Sequence, residues 1–150
     1  MLKEGDKAPD IHLETDAGEP FNLKQHRGHK IILYFYPRAD TPGCTKEACE
    51  FRDIGPQFTK KGALIVGVSP DTVKAQAKFK EKYGLNFILL ADQDKEAVNA
   101  YGVYKEKNMY GKKVMGVERT TFLIDEKGKI EKIFAKVKPE GHAGQVLENL

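Results

Sequence analysis

Cysteine is scarce in this sequence: the 150 residues contain two, Cys44 and Cys49. Two are too few to staple a small secreted scaffold. They fit a reducing compartment where thiols are catalytic or inert, so a cytoplasmic location is expected. An excess of one charge is also missing, since 25 Lys and Arg face 22 Asp and Glu, with acids interleaved among the lysines along the chain. No dense basic stripe exists to track a phosphate backbone, which argues against nucleic acid as a partner. The opening MLKEGDKAPD carries acids and no apolar run, so neither a signal peptide nor a membrane anchor is expected. Repeats, linkers and low-complexity tracts are absent. With 40% hydrophobic residues, the length supports one compact domain over residues 1–150.

The hydrophobic residues are organised as short runs. Ile11 and Leu13 alternate ahead of Asp16-Ala17-Gly18, a turn signal that predicts a small N-terminal hairpin over Asp10 to Asn22. Ile31 to Tyr36 is a continuous apolar and aromatic run, as in a strand covered on both faces, and Ala63 to Val68 repeats that signature. Helix-like sequence lies between them, as a right-handed βαβ crossover requires. Ser69-Pro70-Asp71 reads as a cap with proline at the first helical position, and Ala75, Phe79 and Tyr83 recur every four residues before Gly84 ends the helix. Further strands are expected at Asn86 to Ala91, Val117 to Ile124 and Lys129 to Ala135. Helices are expected at Lys95 to Tyr101 and from about Glu140. Parallel crossovers early, an antiparallel hairpin late and helices on both faces predict an α/β, thioredoxin-like fold around a central mixed β-sheet.

Both cysteines fall where the first long strand runs through a loop into a helix. With Thr41 as N-cap and Pro42 as the first helical residue, Cys44 takes the third helical position, beside amides that have no partner within the helix. Those amides and the helix dipole favour an anion there, which makes a nucleophilic thiolate the expected form. Five residues of regular helix separate the cysteines by about 140° and about 7.5 Å of rise. Their Cα atoms would stand roughly 8–9 Å apart, so the two can bond only if the helix unwinds. Gly43 and Gly55-Pro56 bracket a segment short enough to open locally. Read alone, C-x4-C also admits two small buried hydrophobes, half of a metal site or a fixed structural disulfide. A zinc site wants four ligands, and His12, His26, His29 and His142 show no ligand spacing, so no metal is expected.

The run Tyr36-Pro37 through Thr41-Pro42-Gly43-Cys44, a P-x3-T-x2-C motif followed by Cys49, resembles the peroxiredoxins, and the second cysteine five places on resembles their Q-type, or bacterioferritin comigratory protein, subfamily. Gly5 to Asp10 and Thr121 to Asp125 fit the same family, so the resemblance spans essentially the whole chain. It implies that Cys44 is the peroxidatic cysteine and Cys49 the resolving one. It also implies that Thr41 hydrogen-bonds the peroxide, that Pro37 shields the thiolate and that the amides of Gly43 and Cys44 line the oxygen track. The arginine that the family places beside the thiolate corresponds to Arg119, one of four arginines here. A guanidinium planted in a strand pattern needs an anionic partner or a place at the strand edge. Glu47 shares a helix face with Cys44 and either holds that guanidinium or faces solvent.

The resemblance further implies reduction of hydrogen peroxide or an organic hydroperoxide through a sulfenic acid on Cys44 and an intramolecular disulfide with Cys49. Thioredoxin or a glutaredoxin-like dithiol would reduce that disulfide, with no cofactor on the protein. The absence of tryptophan separates the chain from the glutathione peroxidases, and the absence of C-x2-C separates it from thioredoxin-type reductases. With no third cysteine, an intersubunit disulfide is not expected, and the chain is read as a monomer or weak homodimer. The rival from another class is a redox-switched binding protein or chaperone that uses the same disulfide once to expose a surface.

Overall fold

The computed structural model describes residues 1–150, the side chain of Met109 excepted. A hairpin of β1 (His12–Thr15) and β2 (Pro20–Asn22) leads through a 3-10 turn to β3 (Lys30–Phe35). There follow α1 (Pro42–Asp53), α2 (Gly55–Lys60), β4 (Ala63–Ser69), α3 (Val73–Tyr83), β5 (Ile88–Ala91) and α4 (Glu96–Ala100). The chain then forms β6 (Tyr104–Met109), β7 (Lys112–Val117), β8 (Thr120–Ile124), β9 (Ile130–Phe134) and α5 (His142–Glu148). Seven strands make one mixed sheet in the order β2-β1-β5-β4-β3-β8-β9, with β3, β4 and β5 parallel and the other neighbours antiparallel. No helix among the described residues is long and apolar enough to cross a membrane.

β3 is the hub, and its two-residue periodicity divides the core. Ile31, Leu33 and Phe35 point to the face covered by Ala97 and Val98 of α4 and by Ile11. Ile32, Tyr34 and Tyr36 point to the other face, against Cys44, Ala48 and Phe51 of α1, Phe79 of α3 and Val146 of α5. Both faces being covered is why the run reads as continuously apolar. Gly67 of β4 pairs with Tyr34, and a Cβ there would sit 3.0 Å from two Tyr34 ring carbons. The missing side chain leaves room for the ring between β4 and Phe51 of α1.

The structure differs from these expectations at five places. Ser69 does not cap α3: it is the last residue of β4, paired with Ala91, and its carbonyl accepts from Asp92 N at 2.9 Å. Sheet pairing claims it, and the helix starts after Thr72, whose Oγ1 accepts from Ala75 N at 3.0 Å. Val117 to Ile124 is two strands, because Val117 closes β7 and Glu118-Arg119 interrupts before β8. The β6–β7 hairpin, a separate two-stranded sheet, was not expected; its lysine-rich, half-exposed sequence carries no strand alternation to read. α2 likewise begins where Gly55-Pro56 reads only as the end of α1, since proline is tolerated in a first helical turn. α5 starts at His142 rather than near Glu140, after Gly141, whose amide donates to Glu50 Oε1 of α1 at 2.8 Å.

Candidate active site

Thr41 is the N-cap of α1 in extended conformation, Pro42 is at the first helical position and Cys44 at the third. Thr41 makes no side-chain cap; its hydroxyl donates instead to Arg38 O at 2.8 Å. The amides of Gly43 and Cys44 have no acceptor among the described residues. They remain free at the positive end of the helix, as the first turn of an uncapped helix requires. Cys44 is 1% exposed, on the α1 face that also buries Ala48 and Phe51 against Tyr34 and Tyr36. Pro37, directly after Tyr36, is half-buried. Cys49 is also half-buried on α1, and both cysteines are free thiols.

Arg119 comes from the break between β7 and β8 and reaches the first turn of α1. Its Nη1 donates to Glu47 Oε1 at 3.2 Å, with the arginine side chain 17% exposed and the glutamate 1%. A Cβ on Gly43 would sit 2.6 Å from Arg119 Nη2, so the guanidinium lies directly over that glycine. Glu47 is therefore not a solvated helix residue but the buried partner of Arg119. Burial pushes its carboxyl up to about 7 against the opposing pull of the guanidinium. The structure thus brings Thr41, Gly43, Cys44, Glu47 and Arg119 to one helix end, with Cys49 farther along the same helix.

Three neighbours were not singled out from the sequence. Tyr34 stacks on Phe51 at 4.8 Å, and its buried hydroxyl has no hydrogen-bond partner among the described residues. Burial drives its phenol well above the usual range. His142, considered above only as a metal ligand, is buried with Nε2 2.7 Å from Thr121 Oγ1 and its ring edge-on to Phe51 at 5.9 Å. Burial lowers its pKa, which favours the neutral ring. Asp71 joins the loop before α1 through Ala39 N at 2.7 Å. None of these carries a local motif, because what places each of them is a contact distant in sequence. Among the described residues no cluster of three or more His, Cys, Asp or Glu is arranged to hold a metal ion.

Comparison with known proteins gives consistent matches. Residues 4–133 match the AhpC/TSA family. A Coxiella burnetii protein described as a putative peroxiredoxin is 52% identical over 149 residues, covering 99% of each chain. The Bacillus subtilis peroxiredoxin Bcp is 47% identical over 146 residues, covering 97% of this chain and 93% of its own. Among solved structures, a Xanthomonas campestris bacterioferritin comigratory protein, described for its alkyl peroxide reduction, superposes with a TM-score of 0.92 at 42% identity, covering 98% of this chain and 96% of its own.

Proposed function

Since the chain belongs to the AhpC/TSA family and is a thioredoxin-fold peroxiredoxin, a thiol-dependent peroxidase, we propose that Cys44 is its peroxidatic cysteine and Cys49 its resolving cysteine. The observation that carries this assignment is the buried thiol at the third position of α1, at the helix end where the Gly43 and Cys44 amides are free and a guanidinium anchored by Glu47 lies over Gly43.

In the proposed reaction the Cys44 thiolate attacks the terminal oxygen of a peroxide. The O–O bond breaks, the peroxide's own proton goes to the leaving oxygen so that water or an alcohol departs, and the sulfenate left on Cys44 takes a proton from solvent to become the sulfenic acid. Arg119 and the Gly43 and Cys44 amides face the charge that develops on the oxygens. Thr41 has committed its own proton to Arg38 O, so its oxygen offers only lone pairs to the O–H of the peroxide. Pro37, which has no N–H, shields the thiolate without competing for the substrate. The Cys49 thiol then attacks the sulfenic sulfur, water leaves and a disulfide forms, once α1 has opened enough to bring the two together. Thioredoxin or a glutaredoxin-like dithiol reduces it.

Hydrogen peroxide and organic hydroperoxides are the proposed substrates. Residues 1–150 are read as one peroxiredoxin domain that works as a monomer or weak homodimer in the cytoplasm. A peroxidase assay with thioredoxin, thioredoxin reductase and NADPH tests the assignment. Cys44→Ser should abolish turnover, whereas Cys49→Ser should oxidise once and then stall. Wild-type turnover in either variant defeats that residue's role, and a single oxidation by the wild-type protein without turnover favours the redox-switch alternative.

A further inference from the structure

The loop Pro37–Thr41, which presents the proposed peroxide contact Thr41 and the shielding Pro37, is not rigid by its own sequence. Asp40 sits at φ 58°, in the left-handed region that L-residues disfavour. Something outside the loop must hold it. Tyr83 Oη donates to Asp40 Oδ1 at 2.6 Å and Lys82 Nζ to Oδ2 at 2.9 Å, but these contacts lie at the exposed rim.

The interior support is a chain of hydrogen bonds that ends on Asp71. Ala39 N donates to Asp71 Oδ2 at 2.7 Å, and Ser69 Oγ donates to the same oxygen at 2.6 Å. Gln76 Nε2 donates to Ser69 Oγ and to Leu90 O, both at 2.8 Å, and Gln76 Oε1 accepts from Tyr36 Oη at 2.6 Å. Ser69, Gln76 and Tyr36 are fully buried, and the side-chain donors Tyr36 Oη, Ser69 Oγ and Gln76 Nε2 each meet an acceptor. Such a satisfied buried network has one low-energy arrangement. It grips the loop on both sides, at Tyr36 just before Pro37 and at Ala39 two residues before Thr41. Its outermost link is a carboxylate, which makes charge-assisted bonds stronger than those of neutral groups.

We propose that Asp71 is a positioning residue for peroxide reduction: through the Ala39 amide it sets where Thr41 and Pro37 stand relative to Cys44. This rests on the assignment of Cys44 as the peroxidatic cysteine. Asp71 acts through the loop backbone and touches no reacting atom.

The test compares Asp71→Ala, Asp71→Asn and Asp71→Glu in the full chain. Three quantities are read: the second-order rate with hydrogen peroxide, the rate of Cys44 alkylation by iodoacetamide in a Cys49→Ser background, and the thermal midpoint. Displaced contacts should slow the peroxide reaction of Asp71→Ala by about tenfold or more, while alkylation, which needs no Thr41 contact, stays within about twofold. Asparagine presents an oxygen where Oδ2 stands and should recover most of the peroxide rate. Glutamate keeps the charge but moves the acceptor by one methylene and should remain slow, which keeps the test decisive if the alanine variant folds poorly. The proposal is overturned by a wild-type peroxide rate in Asp71→Ala, by peroxide and alkylation rates that change in parallel, or by rescue with glutamate but not asparagine. Failure of the underlying assignment looks different: Cys44→Ser would then still consume peroxide.

Discussion

Arg119 shows how a single residue serves both packing and chemistry. Its guanidinium occupies the space where a Gly43 side chain would be and donates to a buried carboxylate, so its position is set from two sides. Arg119→Ala should therefore lower the peroxide rate by about tenfold or more, as expected on losing a charge-assisted contact to a developing oxyanion. Arg119→Lys should not restore it, because a point charge cannot reach Glu47 and a peroxide oxygen together as a planar fork does. Gly43→Ala should give the same kind of loss with Arg119 still present, since the new methyl displaces the fork. Stopped-flow rates for the three variants check this, and unchanged rates in all of them would leave Arg119 an ordinary buried ion-pair residue. Glu47 adds a pH dependence. Its carboxyl ionises near 7 in the folded protein against 4.5 when unperturbed. Between those values the unfolded chain has released a proton that the folded chain keeps, so stability contributed at this site falls as pH rises through that window and levels off above it. Denaturant melts across pH 5 to 8 should show a smaller decline in Glu47→Gln than in wild type. The difference isolates Glu47 from buried Asp92 and His142, which also titrate with shifted values, and identical declines would refute the assignment.

At the scale of the element, α1 carries both thiols and is held by tertiary contacts more than by its own sequence. Its buried face is Cys44, Glu47, Ala48 and Phe51, and its far side is tied to α5 by the Gly141–Glu50 bond. Helices of this length are marginal without such support. Regular geometry keeps Cys44 and Cys49 roughly 8–9 Å apart at Cα, beyond bonding reach, so an intramolecular disulfide requires α1 to open. Hydrogen exchange should accordingly be faster across Thr45 to Arg52 in the oxidised protein than in the reduced one, while β3 and β4 stay protected. Equal protection in both states, with oxidised protein running as a monomer on a non-reducing gel, would sink the proposed opening. Tyr34 lies under this face with a hydroxyl that has no partner among the described residues, an arrangement that costs the closed form about 1–3 kcal/mol relative to a solvated phenol. Tyr34→Phe should then stabilise the reduced protein by about 1 kcal/mol in denaturant melts and slow disulfide formation after oxidation. A destabilised variant would mean that the hydroxyl has a partner in solution.

Taken as a whole, the molecule has a hydrophobic core on each face of its sheet and the candidate site on only one of them. Leu33, Phe35 and Phe122 belong to the core on the α4 side, while the thiol helix packs on Ile32, Tyr34 and Tyr36. Leu33→Ala should cost about 2–5 kcal/mol of stability, as large-to-small changes in a closed core do. At temperatures where the variant remains folded, its peroxide rate should stay within about twofold of wild type. A loss of rate comparable to that of Arg119→Ala would show that the two faces are mechanically coupled through β3.

Local pattern determined much of this protein by itself. The continuous apolar runs placed β3 and β4 in the sheet interior, because strands covered on both faces cannot alternate with polar residues. Thr41-Pro42 marked the start of α1 to the residue, since the fixed φ and missing N–H of proline suit a first helical position, and that register placed Cys44 among the free amides. The same local logic failed at Ser69, where pairing with Ala91 across the sheet outweighed a capping signal. It failed again over Tyr104 to Val117, whose hairpin is held by cross-strand register rather than by a hydrophobic pattern. What tertiary structure alone decided is the company Cys44 keeps. Arg119 meets Glu47 across a sequence separation of 72 and Ala39 meets Asp71 across one of 32. Contacts of that kind form only when the sheet brings distant loops to one edge, and no periodicity or spacing along the chain encodes them.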